Sequence, residues 1–213
     1  MGLSIKTCYT VKIQKQLDAT QDKTTEKLNI ARKRAVDSRL MRQTSLICLE
    51  ALKFCVSVIS EEWDTIMGVE SKLRKRLIDT LVHRTKTAAP KYPEFDLKFP
   101  KMPGYTRRAI IADAFGMVKS YRSNHKNWKE TPPMERGAEP TLGIPSRYEL
   151  TFYDQERKMS CLADSQIGLK LYNGKTWNWY YFQIRPSDAK QISRLSKTRK
   201  MLSPIVDKVR GRY

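Results

Sequence analysis

Apolar positions recur along this chain at two periods, and the switches between them divide it. Leu3, Ile5, Tyr9, Val11 and Ile13 alternate with polar neighbours, which predicts a strand over Leu3 to Ile13. A polar stretch, Gln14 to Lys27, follows, and then a helical period takes over. Leu40, Thr44, Ile47, Cys48, Ala51, Leu52, Cys55, Val58, Ile59 and Trp63 form one apolar stripe. The spacing predicts a second helix from Ile66 to Arg84. It turns Ile66, Val69, Leu73, Leu77, Ile78 and Leu81 inward and Lys72, Arg74, Lys75 and Arg76 outward. Pro90, Pro93, Pro100 and Pro103 then exclude regular helix, so Thr85 to Gly104 reads as an extended linker. The next helix runs until Pro132 and Pro133 stop it, and Thr131 to Pro145 is a second linker. Beyond it the period becomes that of strands, at Arg147 to Tyr153 and Gln166 to Tyr172. Asn173-Gly174 signals a type I′ hairpin, with Lys175 to Ile184 as the return strand. A short helix over Ser187 to Leu195 and a final strand over Val206 to Tyr213 complete the pattern.

The helix from Tyr105 to Trp128 carries two faces of different chemistry. At ~100° per residue, with Arg108 at zero, Ile110, Ile111, Ala114, Met117, Val118, Tyr121, His125 and Trp128 share an arc of roughly 180° to 300°. Arg108, Phe115, Lys119, Arg122 and Lys126 gather within about 40° of zero. Ser120, Ser123, Asn124 and Asn127 fill the sector between. A helix that buries one side and presents arginine, lysine and an aromatic on the other suits a phosphate backbone. The same face also fits a merely solvated surface, and Lys72, Lys75 and Arg76 carry the same ambiguity. Ser123 and Asn124 suit base edges or the cap of a fraying helix end. His125 and Tyr121 fall on the packed arc.

Charge changes the balance between these readings. There are 41 Lys+Arg against 22 Asp+Glu, a formal +19. Such an excess repels itself in a compact fold, so a polyanionic partner is expected. Membrane is the less favoured polyanion: no stretch reaches roughly 18 uninterrupted apolar residues, and Glu50 and Lys53 interrupt the best one. The first fifteen residues lack a signal-peptide core, and Gly2 is a weak myristoylation start. The four cysteines, Cys8, Cys48, Cys55 and Cys161, form no CxxC pair, so a zinc site is not expected. Cys48 and Cys55 suit buried free thiols, and a cytoplasmic, reducing location fits.

A lone N-terminal strand needs a sheet to join, and the only predicted sheet lies C-terminal. The expected fold is α+β: a small antiparallel β-barrel interrupted by a helical insertion. Its parts are a first strand in 1–14, a helical domain in 15–131 and the rest of the barrel in 132–213. Gly211-Arg212-Tyr213 falls inside a predicted strand, so the sequence reads as the front portion of something longer.

Three segments carry a family resemblance. LIDTLVHRTKTAAPKYPEFDLKFPKMPGYTRRA (Leu77 to Ala109), DAFGMVKSYRSNHKNW (Asp113 to Trp128) and KLYNGKTWNWYYFQIRPSDAK (Lys170 to Lys190) together resemble, in order, clostridial-type TnpB proteins. These are transposon-encoded, RNA-guided DNA endonucleases related to type V CRISPR effectors. The departures, Ala88-Ala89-Pro90 and Met102-Pro103-Gly104, both fall in linkers. The resemblance implies a wedge-type β-barrel split by a recognition domain, a structured guide RNA and a double-stranded DNA target. It implies that this portion reads a short motif beside the target. The RuvC-type nuclease, with its Mg2+ ions and three acidic residues, would lie C-terminal to residue 213 or on a separate chain. No catalytic residue, metal ligand or cofactor carries over to this sequence. Expected nucleic-acid contacts are Arg107, Arg108, Lys119, Arg122, Ser123, Asn124 and Lys126 on the helix, with Lys72, Lys75 and Arg76. From the barrel come Arg147, Lys170, Lys175, Lys197, Arg199 and Lys200. Trp177 and Trp179 suit either barrel core or base stacking. Two other readings stay open: a nuclease-less RNA-guided repressor, and a basic nucleic-acid-binding domain without a guide.

Overall fold

A computed structural model describes residues 13–21, 28–34, 38–86, 88–153, 157–158, 165–196 and 201–202. The predicted strands over Leu3 to Ile13 (Ile13 apart) and Val206 to Tyr213 lie outside these residues, as do Cys8 and Cys161. The fold is α+β and divides into two compact units. One takes Met1–Met41, Phe152–Leu171 and Asn178–Tyr213; the other takes Arg42–Thr151 and Tyr172–Trp177.

The first unit is built on strands. β1 (Lys15–Gln21) and β2 (Leu28–Arg34) occupy the stretch expected to be polar and then helical, so the helical block begins at Ser38 rather than 15. Their sequence is too charged to show a clear strand period. They form because each satisfies the other's backbone, pairing antiparallel from Gln16↔Arg34 to Gln21↔Leu28 with a shift between Asp18 and Ala19. β3 (Phe152–Tyr153), β4 (Arg157–Lys158), β5 (Gln166–Tyr172), β6 (Trp177–Gln183) and β7 (Met201–Leu202) follow. The larger sheet runs β2-β1-β6-β5-β4, and β3 pairs with β7. Lys15↔Gln183 and Leu17↔Tyr181 set the β1–β6 register, so it is β1 that joins a C-terminal strand, while the pairing expected of Leu3 to Ile13 falls outside the described residues. Among the described residues this sheet is open, with β2 and β4 at its edges. Ile167, Leu169, Leu171, Phe182 and Ile184 form its buried centre, with Ala189 and Ile192 from α6 (Pro186–Ser196). The strand expected over Arg147 to Tyr153 shrinks to β3.

The second unit is helical. α1 (Ser38–Glu61) supplies fully buried Cys48, Ala51, Cys55 and Ile59. By length and composition it would span a bilayer, yet more than half of that window is buried inside the fold. Neither described cysteine is in a disulfide, and burial pushes the Cys55 thiol up to about 12, with the Asp79 charge adding to it. The helix expected over Ile66 to Arg84 is broken into α2 (Trp63–Gly68) and α3 (Arg74–Val82). Val69 is extended, and Arg74 donates hydrogen bonds to the Met67 and Val69 carbonyls, taking over helix-end groups. Leu73, expected inward, is exposed there.

The proline-rich segment is not simply extended. Pro93, with φ −65°, starts α4 (Glu94–Lys98), and Pro100 follows it. Those few proline-free residues place Phe95 and Phe99 in the core against Phe54, with ring centroids 5.6 and 6.2 Å away. Ahead of α4, buried Glu62 accepts hydrogen bonds from Lys91 and the Tyr92 hydroxyl. Lys91 and then Tyr92 hold the Glu62 carboxyl below the usual range, while burial and the carboxylate push the Tyr92 phenol up. The hairpin loop has four residues, Asn173 to Thr176, rather than a two-residue type I′ turn. Asn173 Oδ1 accepts from the Lys175 and Thr176 amides, and only Gly174, at φ +93°, is left-handed in the loop.

Candidate nucleic-acid interface

α5 (Gly104–Glu130) is the longest helix among the described residues. It starts directly after Pro103 and ends where Arg136 donates to the Thr131 and Lys129 carbonyls. Ile110, Ile111, Ala114 and Val118 are fully buried along one side. Farther along that arc, Tyr121, His125 and Trp128 form a ladder of rings with centroids 5.6 and 6.0 Å apart. Arg136 lies over Trp128, whose indole N–H donates to the Gly137 carbonyl. His125 Nε2 lies 3.1 Å from Glu139, and the Tyr148 hydroxyl donates to Asp113 at 2.9 Å. The expected linker after Pro132 is thereby strapped along α5 rather than spanning a gap.

The opposite side of α5 is exposed, and Arg108, Lys119, Arg122, Ser123, Asn124 and Lys126 all stand on it. Arg108 packs its guanidinium 4.5 Å from the Tyr105 ring and donates to the Gly104 carbonyl. Lys126 stands 3.7 Å from Glu130, a weak exposed pair one turn on. Arg122 lies over Trp63, 5.5 Å from its ring centroid, and donates to the Ser60 carbonyl at 3.2 Å. Arg107 departs from expectation. It is buried, and its Nε donates to Asp79 at 2.7 Å, so it ties α5 to α3 instead of reaching outward. Its neighbour Arg108 falls ~100° round the helix and remains outside.

Beside the basic stripe lies a groove of about 570 Å³ between α5 and the 141–143 segment. Ser120, Tyr121 and Asn124 line it, with Asp113 and Met117, and no lysine or arginine does. The helix thus presents cations at one azimuth and, in the groove, the hydrogen-bonding groups of Ser120 and Asn124 together with the Asp113 carboxylate. Tyr121 is only half-buried, so its expected core place is partly groove wall.

The other candidates are scattered. Lys72, Lys75 and Arg76 are exposed around the start of α3, with Lys72 paired to Glu70 at 3.0 Å. Lys175 is exposed in the hairpin loop, and half-buried Arg147 lies 3.7 Å from Glu149. In the strand unit Lys170 sits 5.9 Å from the Trp179 ring. Lys197, Arg199 and Lys200 lie outside the described residues. Trp177 is buried beside Tyr172, 5.5 Å between centroids, which favours its core reading; Trp179 is half-buried. The helical unit holds 20 Lys+Arg against 13 Asp+Glu and the strand unit 21 against 9, so the larger basic excess belongs to the strands. Among the described residues no three His, Cys, Asp or Glu side chains gather as a metal site. Sequence periodicity put Trp63 on the α1 stripe, with which it stays in phase although the chain bends at Glu62, and so gave no sign of its contact with Arg122.

These features define an α+β protein whose helical unit carries a polar, basic outer face. The chain belongs to the Aq_aa04 family, whose model matches residues 24–173. No curated protein and no solved structure matches it. Family membership by itself assigns no activity.

Proposed function

We propose that this chain is the guide-RNA-binding and target-adjacent-motif-recognising part of a TnpB-like RNA-guided DNA endonuclease, with catalysis on sequence or a chain outside these residues. The observation that carries the reading is α5. Its back is fixed in the core, and its front sets Lys119, Arg122 and Lys126 beside a groove where Ser120 and Asn124 offer hydrogen-bonding groups and Asp113 is engaged by the Tyr148 hydroxyl. Along a strand of nucleic acid, phosphates and base edges alternate in that same way. The five-stranded sheet is then the larger part of a wedge β-barrel, and the helical unit is the recognition insertion. The strand unit, with the greater basic excess, takes the structured guide RNA, and α5 takes the double-stranded target DNA.

The nuclease portion, working with Mg2+ in a prokaryotic cytoplasm, is the remaining partner; no membrane is involved. On this reading the two-metal chemistry belongs to that portion, and the resemblance carries no catalytic carboxylate over to this chain.

The test is to purify the chain from its native host, sequence the RNA that accompanies it, and measure duplex binding before and after ribonuclease. A single structured RNA species whose removal abolishes sequence-selective DNA binding is the expected result. Unchanged DNA binding without RNA refutes the guide and leaves a plain DNA-binding domain. On a randomised flanking library, Lys119→Ala with Arg122→Ala should weaken every sequence and flatten the log–log salt slope by up to about two units. Asn124→Ala should instead change the preferred flanking base.

A further inference from the structure

We propose that Arg122 is the fork of a phosphodiester-binding clamp and that Trp63, from a different helix, is the residue that positions it. The inference rests on the nucleic-acid reading above but concerns how one side chain is held. Phe115 and Arg122 are seven residues apart on α5, ~10.5 Å along the axis. The Trp63 ring centroid lies 6.0 Å from that of Phe115, at 25° between planes, and 5.5 Å from the Arg122 guanidinium carbon. The indole therefore sits between them, against the flank of α5 that also carries Lys119. Cation–π attraction to that aromatic face holds the guanidinium beside it.

A second contact removes the remaining rotation. Arg122 Nη2 donates to Ser60 O at 3.2 Å, in the last turn of α1, where helix carbonyls lack intrahelical partners and carry partial negative charge. A guanidinium has five N–H donors. The Ser60 contact uses one edge of the fork, and exposed Arg122 has no carboxylate partner among the described residues. A planar fork held still, charged and open on one edge matches a phosphate, which accepts two parallel hydrogen bonds. Lys119, one turn away and exposed, supplies a second cation to the same group or its neighbour. An arginine that merely solvates a surface is free to rotate. This one is held by an aromatic face and a backbone carbonyl before any partner arrives, so binding loses less of its rotamer entropy.

The experiment titrates the full chain against a labelled 20-base-pair DNA duplex and a labelled RNA hairpin, across roughly 50–300 mM KCl. Arg122→Lys keeps the charge but loses plane and fork. Trp63→Leu keeps apolar bulk but loses the π-face, and Trp63→Phe restores part of it. Arg122→Lys and Trp63→Leu should each weaken binding about three- to tenfold, the cost of immobilising one long side chain. The salt slope should stay unchanged, because the charge count does not change. Trp63→Phe should recover most of the loss. The arm that responds identifies the phosphate as DNA or RNA. Arg122→Lys leaves the Trp63–Phe115 stack in place, so it decides the matter if Trp63→Leu lowers the melting temperature. Parent-like affinity of Arg122→Lys, with Lys119→Ala still weakening binding, overturns this inference alone. A parent chain that binds neither probe overturns the nucleic-acid reading as well.

Discussion

Removing Arg107 should damage the fold and leave nucleic-acid binding intact. Arg107 Nε and Asp79 Oδ1 are 2.7 Å apart, with side-chain exposures of 11% and 22%. Arg107→Met preserves the apolar stem but leaves the Asp79 carboxylate half-buried without its cation. Breaking a fully buried pair costs about 3–5 kcal/mol. Here residual hydration of Asp79 lowers that to roughly 2–3 kcal/mol. For a chain of this size that is a fall of about 4–12 °C in melting temperature. Asp79→Leu with Arg107→Met removes both charges and should recover most of the loss, because two apolar groups replace the pair. Thermal unfolding followed by circular dichroism gives the three numbers. A duplex titration at matched folded fraction gives the fourth, a salt slope equal to the parent's. If Arg107→Met leaves stability unchanged and flattens the slope by about one unit, the side chain reaches the partner and its structural assignment is wrong.

The Glu62 contacts predict acid sensitivity. Its folded pKa lies below the ordinary carboxylate value, so its contribution is present above that ordinary value and is lost as pH falls through the folded one. Glu62→Gln should flatten stability against pH in that acidic window, and an unchanged profile would count against the pair. Tyr92→Phe removes one hydrogen bond to the carboxylate and should cost about 1–2 kcal/mol in urea unfolding. Cys48 and Cys55 should stay unlabelled by iodoacetamide in the folded chain while labelling fully in urea, read by peptide mass spectrometry. Rapid native labelling of Cys55 would contradict a buried thiol raised to about 12. Gly174→Ala should destabilise by about 1–2 kcal/mol, since φ is +93° and a Cβ would meet Gln43 Nε2 at 3.4 Å. A neutral result would mean the loop relaxes.

The two faces of α5 were legible in the sequence because one helical period holds, unbroken by proline, for more than twenty residues. Where periods are shorter, other forces decide. β1 and β2 are charged strands whose formation depends on partners distant in sequence, and no local pattern announces a partner. The break between α2 and α3 leaves the apolar phase nearly undisturbed, so Leu73 kept an inward place on a helical wheel while lying outside the helix. α4 was hidden by the prolines on either side of it, although Phe95 and Phe99, four apart, are the signal that was there to read. The hairpin itself was legible, but its turn type was not. Asn173 uses its side chain to hold a longer loop, an option that Asn-Gly shares with the shorter one.

The same contrast bears on the candidate site. A helical wheel assigns azimuth, and azimuth alone made Arg107 and Arg108 look equivalent at adjacent positions of one basic run. Tertiary contact separates them, because Asp79 of α3 takes one and leaves the other over Tyr105. It also ranks the outward residues. Lys126 shares its charge with Glu130, Arg108 is turned back onto its own first turn, and Arg122 is anchored by groups from α1 and α2. On the proposed nucleic-acid reading, phosphate contact therefore depends unequally on these side chains. Lys119 and Arg122, one turn apart on the stripe and in no ion pair among the described residues, should account for most of the salt dependence. Arg108→Ala and Lys126→Ala should each change the slope by well under one unit. Equal slope changes from all four alanine variants would mean that the partner reads charge density alone and that the anchoring of Arg122 is incidental.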